Sequence, residues 1–143
     1  MRKEEIAIEL YNSAKENGLV ETIYAVFGMK VSVGIAFTKK ACETNIDDIE
    51  FSVRANNALK RAGYFLISDV VDALANETLM HIRNLGKKTF NEIQTKILVF
   101  GYERLTEKEK QQFFVDLVER NANWFDTNAN RQGVFSLPMF LLL

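Results

Sequence analysis

Hydrophobic positions in residues 3 to 17 recur four apart, at Ile6, Leu10 and Ala14 with Tyr11 beside them, and Gly18 follows. That spacing predicts an amphipathic helix with a glycine stop. Leu19 to Phe27 continues as a second helix. Val31, Val33, Ile35 and Phe37 then alternate with Ser32, Gly34 and Ala36, a period of two that predicts one short strand. Ser52 is placed to cap a helix running to about Ala62 and ended by Gly63, with Ala55, Leu59 and Ala62 on one face and Arg54, Asn57 and Arg61 on another. Ser68 and Asn76 are candidate caps for two short helices ending near Leu74 and His81. After the Asn84-Leu85-Gly86 interruption, a longer helix is expected from Lys87 to Phe100. Phe90, Ile93 and Ile97 face inward there, and Lys88, Glu92 and Lys96 stand four apart on the far side.

Beyond Gly101, Thr106 and Glu109 have the spacing of a capping box, and Phe113, Phe114, Leu117 and Val118 form an apolar stripe that must dock on something. The tail from Val134 to Leu143 is too short to span a bilayer and too apolar to stay solvated. It is expected to pack on the core beside the Val31 to Phe37 strand or to join a second copy. One proline, Pro138, and seven glycines leave long uninterrupted stretches, without an internal repeat or a low-complexity linker. The expected fold is mostly α, a compact helix-hairpin-helix bundle with helical extensions and one short strand pair.

Composition narrows the function. A protein of 143 residues holds one domain, or one small domain with extensions, which excludes a large multi-domain enzyme. Hydrophobic residues at 48% and charged residues at 26% are near the globular average, and no membrane association is expected. The single Cys42 cannot form an intrachain disulfide, and Met1-Arg2-Lys3-Glu4-Glu5 precedes no apolar signal core, so a cytoplasmic location is expected. One histidine, His81, and one cysteine supply no zinc cage, and neither a metal nor a cofactor is expected. Cys42 reads as a small apolar filler and His81 as a surface residue.

The formal net charge of −1 gives the whole protein no basic field. The charges are unevenly placed, however. Glu43, Asp47, Asp48 and Glu50 fall in a stretch without lysine or arginine, which reads as a boundary. Residues 52 to 100 then carry Arg54, Lys60, Arg61, Arg83, Lys87, Lys88 and Lys96 against Asp69, Asp72, Glu77 and Glu92. Any polyanion site is therefore a local patch here.

Ile82-Arg83-Asn84-Leu85-Gly86-Lys87-Lys88-Thr89 is a tight hairpin whose following helix starts with two lysines and a hydroxyl. Gly86 allows close approach of the backbone to a ligand, and the free amides at the helix start suit a phosphate oxygen. Lys88 and Thr89 add a charge-assisted and a neutral hydrogen bond. The same residues also fit a plain Asn/Gly turn with solvated lysines, and the string alone leaves both readings open. A nucleotide-binding loop is excluded, because it needs Gly at 81 and Ser or Thr at 88, where His81 and Lys88 stand.

Asn45 to Gly63, with Val53-Arg54-Ala55-Asn56-Asn57 at its centre, followed by Arg83 to Thr89, resembles the C-terminal domain of the bacterial RNA polymerase alpha subunit. Both blocks stand in that family's order and near its separation, and the likeness covers about Ile46 to Tyr102. It implies four short helices after an acidic turn, a non-catalytic role, and binding of double-stranded A·T-rich DNA through the minor groove, with surfaces for polymerase or transcription regulators. The implied DNA-binding residues are Arg54, entering the groove, Asn57, supporting it, and Asn84, Gly86, Lys88 and Thr89, gripping the backbone. A narrow A·T-rich groove concentrates negative potential, so one arginine can select by shape and charge.

The sequence departs from the family at Ala58, a small position expected to face DNA, and in its flanks. The 45 residues before Ile46 do not resemble the alpha subunit's assembly domain, and the protein is not expected to be the assembling subunit itself. The resulting division is 1–45, an N-terminal helical extension; 46–102, the DNA-binding domain; and 103–143, a C-terminal helix and apolar tail that is a candidate surface for a homodimer. The leading expectation is a transcription module that binds DNA. The alternatives are a protein-interaction module contacting polymerase or a regulator, and a repair-type hairpin module that binds junctions or gaps. The acidic turn Asp47, Asp48 and Glu50 is read as structural, not as a magnesium site.

Overall fold

The computed structural model describes residues 2–28, 30–31, 33–123 and 141–142. Its elements are α1 (Lys3–Asn17), α2 (Leu19–Phe27), β1 (Lys30–Val31), α3 (Lys39–Cys42), a 3₁₀ turn at Ile46–Asp48, α4 (Val53–Arg61), α5 (Ile67–Ala75), a 3₁₀ turn at Leu79–His81, α6 (Lys87–Glu103), α7 (Glu107–Arg120) and β2 (Leu141–Leu142). The mostly helical expectation holds. The protein divides into two compact units, one formed by residues 1–35 and 104–143, the other by residues 36–103.

In the first unit α1 packs on both α2 and α7. Ala7, Leu10, Tyr11 and Ala14 of α1 are buried, as are Leu19, Ile23 and Phe27 of α2 and Phe113, Phe114, Leu117 and Val118 of α7. The α7 stripe is thus taken up inside the unit, so the helix part of the expected homodimer surface is already covered. Gly18, at φ 98°, separates α1 from α2 in a conformation that glycine adopts without a Cβ penalty. The predicted capping box forms: the Thr106 amide donates to Glu109 at 2.9 Å, and the Glu109 amide to the Thr106 hydroxyl at 3.1 Å.

The expected strand over 31–37 does not form as such. Lys30 and Val31 pair in parallel with Leu141 and Leu142, and residues 33–38 have no regular structure. The alternation marks burial of Val31 and Val33, but a strand also needs hydrogen-bond partners, and none is present from Val33 onward among the described residues. A Cβ at Gly34 would stand 2.4 Å from the Arg120 guanidinium, so the glycine there makes room for an arginine. Of the apolar tail, only Leu141 and Leu142 fall within the described residues.

In the second unit Ser52 caps α4 as predicted, accepting from the Ala55 amide at 3.2 Å. Ala55, Ala58 and Leu59 are buried while Ala62 is exposed, so the apolar face is turned relative to the expected one. α5 starts at Ile67, not behind Ser68, because the Asp69 carboxylate reaches back to the amides of Phe65 and Leu66, each at 3.0 Å. Asn76 ends α5 instead of starting a helix. Glu77 turns left-handed at φ 58°, and only the short turn Leu79–His81 follows. α6 runs past Phe100 through the buried Gly101 to Glu103, and Thr38 caps the unanticipated α3.

Candidate nucleic-acid interface

α4 presents its polar side to solvent. Arg54, Asn57 and Arg61 are all exposed, while Ala55, Ala58 and Leu59 anchor the opposite side. This is the division that an amphipathic helix makes when three small or branched apolar residues find a core. Ala58 is only 4% exposed, which corrects its expected placement toward DNA: it packs inside the unit.

The hairpin is built by a non-glycine left-handed residue. Asn84 has φ 64°, a conformation that asparagine tolerates better than most side chains. The Leu85 amide donates to the Ile82 carbonyl at 3.1 Å and the Phe90 amide to the Gly86 carbonyl at 2.9 Å. The first helical bond of α6 therefore begins at Phe90, and the amides of Lys87, Lys88 and Thr89 belong to a first turn without intrahelical partners. Gly86 is exposed, its φ is not in the left-handed region, and a Cβ there would meet nothing within 4 Å. The fold does not require a glycine at this place. Lys87 and Lys88 are exposed, whereas Thr89 is only 7% exposed and lies mostly within the unit.

The two blocks meet. α4 packs against α6, and the Glu92 carboxylate accepts from both the Ser52 amide and the Ser52 hydroxyl, each at 2.7 Å. This clasp joins the residue that starts α4, two before Arg54, to the turn of α6 that follows Lys88. Lys96 reinforces it, lying 3.2 Å from Glu92 and donating to the Glu50 carbonyl. Burial alone would raise the Glu92 carboxyl, but the Ser52 amide, the Ser52 hydroxyl and Lys96 together hold it below the ordinary carboxylate range. The sequence pattern put Glu92 on a solvated face. Its i,i+4 pairing with Lys96 was visible, but its reach to Ser52, forty residues away, was not.

The acidic turn is tied down in a similar way. Asp47 pairs with Lys60 at 2.8 Å and accepts from the Asn56 amide group at 3.1 Å, and these two hydrogen bonds hold its carboxyl low. No group of His, Cys, Asp and Glu able to hold a metal is found among the described residues. Lys60 and Lys96 are thus committed to partners inside the unit. Among the described residues, Arg54, Arg61, Arg83, Lys87 and Lys88 make no ion pair or hydrogen bond through their side chains. The structure sorts the cations of this unit into two that hold it together and a set left to solvent.

The unit of residues 36–103 is thus mostly helical, with an arginine-bearing helix clasped to a lysine-bearing hairpin. Residues 36–98 match the family described as the C-terminal domain of the bacterial RNA polymerase alpha chain. The sequence is 44% identical over 62 residues to the DNA-directed RNA polymerase subunit alpha of Symbiobacterium thermophilum and 44% identical over 63 residues to that of Malacoplasma penetrans. It is 43% identical over 60 residues to that of Rubrobacter xylanophilus. These matches cover 42% to 44% of this protein, which spans only 19% of each relative's length. No solved structure matches. The resemblance read from the two blocks is therefore present across residues 36–98, and the domain it points to is a non-catalytic part of the polymerase.

Proposed function

We propose that residues 36–103 form a DNA-binding transcription module that recognises A·T-rich duplex through the minor groove. Arg54 enters the groove, Asn57 supports it, and the hairpin Asn84, Gly86, Lys88 and Thr89 holds the backbone. The observation that carries this reading is the Glu92–Ser52 clasp, which sets Arg54 and the Lys88 turn on adjoining helices while leaving both cations exposed and unpartnered. Unneutralised cations beside free helix-start amides are what a phosphate backbone needs. A glycine that neither backbone angle nor neighbours demand leaves Gly86 open to an approaching strand. The mostly buried Thr89 offers less to DNA than Lys88 does.

Fluorescence anisotropy with A·T-rich and G·C-rich duplexes at two salt concentrations tests the reading. Tighter, salt-sensitive binding to the A·T-rich duplex is expected, with a log-log salt slope on the order of −2 to −4 for a few phosphate contacts. Arg54→Ala is expected to abolish the A·T preference; full affinity and preference in that variant would sink the assignment.

A second reading has its own observation. Val53 at 77%, Met80 at 53% and Phe65 at 48% are large apolar side chains left exposed in this unit. They favour a surface for polymerase or a regulator, which would show as capture of polymerase subunits without measurable duplex binding.

A further inference from the structure

We propose that Arg61 is a further DNA contact, gripping a backbone phosphate outside the groove that Arg54 enters; this rests on the DNA-binding reading above. Arg61 lies seven residues after Arg54 and four after Asn57, so the three share the exposed face of α4. Seven residues of α-helix advance about 10.5 Å, more than the roughly 6 Å width of the minor groove. With Arg54 in the groove and α4 laid across it, as the proposal requires, Arg61 stands beside one of the phosphate backbones that border the groove.

The ion-pair pattern singles it out from its neighbour. Lys60 is bound to Asp47 at 2.8 Å, while among the described residues no ion pair or hydrogen bond engages the Arg61 side chain. Both cations sit in the last turn of α4, where the helix dipole favours positive charge, and Lys60 alone already supplies that charge. An exposed arginine with no internal partner, in line with the proposed groove residues, is available to a polyanion, and its planar fork suits a phosphate.

The test measures the salt slope and duplex preference of the unsubstituted 143-residue protein and of Arg61→Ala, Arg61→Lys and Lys39→Ala, each checked by circular dichroism for an unchanged fold. Lys39 is exposed on α3 in the same unit, so removing it deletes the same charge elsewhere. Arg61→Ala is expected to make the slope shallower by about 0.9, the loss of one phosphate contact, and to weaken A·T-rich and G·C-rich binding by the same factor. Arg61→Lys is expected to keep most of the slope, and Lys39→Ala all of it. The proposal is overturned if the unsubstituted protein binds DNA yet Arg61→Ala behaves like Lys39→Ala, or if Arg61→Ala changes the A·T to G·C ratio. An unsubstituted protein that binds neither duplex overturns the DNA-binding reading as well.

Discussion

The two units of this protein divide their cations differently. In the unit of residues 1–35 and 104–143, Lys15 lies 5.2 Å from the ring of Tyr11, Lys110 pairs with Glu107 at 3.4 Å, and Arg120 lies over Gly34. Tyr11 donates to Glu107, which together with the nearby lysines keeps that carboxyl low. In the unit of residues 36–103 only Lys60 and Lys96 have ion-pair partners among the described residues. In the first unit Lys3 and Lys108 are exposed without an ion pair among the described residues, so each unit pairs some cations and leaves others to solvent, and the second leaves more of them: Arg54, Arg61, Arg83, Lys87 and Lys88. Net charge, −1 for the whole protein, conceals this because it counts charges without their partners.

The sharpest way to break the comparison is to damage the first unit and ask whether DNA binding follows. Phe114 is fully buried, meets Phe113 edge to face at 5.1 Å, and packs α7 into that unit. Phe114→Ala is expected to cost about 3–5 kcal/mol of stability in thermal or urea unfolding. If the contrast between units is functional, duplex affinity below the unfolding transition stays as in the unsubstituted protein.

A smaller effect is expected from the Ser52 clasp. Glu92→Gln keeps the side chain's shape but gives up a charged acceptor, and a loss of roughly 1–2 kcal/mol is expected. Duplex affinity should fall with it, since the start of α4 carries Arg54. The pH dependence follows from the lowered carboxyl: Glu92 stabilises the fold fully above the ordinary glutamate pKa of about 4.3. That contribution disappears as pH falls through the depressed folded value. Urea midpoints between pH 3 and pH 6 are therefore expected to decline less steeply in Glu92→Gln, and an unchanged decline would remove Glu92 from the account.

The smallest effect on stability sharpens the comparison most directly. Gly86→Ala meets no neighbour, and a change within about 1 kcal/mol is expected at this helix start. Affinity is nevertheless expected to fall several-fold, since the added methyl stands between the backbone and a phosphate. Equal affinity would assign Gly86 to the turn alone.

Local signals were legible wherever one short stretch decided the outcome. The caps at Ser52 and Thr106, the stop at Gly18 and the buried positions of α6 and α7 all follow from spacing and side-chain chemistry within about a turn of helix. Signals failed where competition decided. Ser68 was outdone by Asp69, whose longer reach satisfies two amides at once. Asn76 has the chemistry of a cap at either helix end, and its place after Ala75 settled which. The period of two at 31–37 recorded burial without the partner that a strand requires.

For the candidate site, the residue types and the two blocks were readable from the sequence: Arg54 and Asn57 on one face, and the Asn84 to Thr89 string at a helix start. What the sequence by itself determined is therefore the list of groups able to meet a phosphate and the helices that carry them, because caps and periodicity act over a few residues. Only the tertiary structure decided which cations remain available. Lys60 is removed from the list by Asp47, thirteen residues away, and Ala58 by burial, while the i,i+4 pairing of Lys96 with Glu92 was already legible and only the reach of Glu92 to Ser52 was not. Electrostatic partners are chosen by distance in space, and a linear pattern carries little of that information beyond a turn of helix.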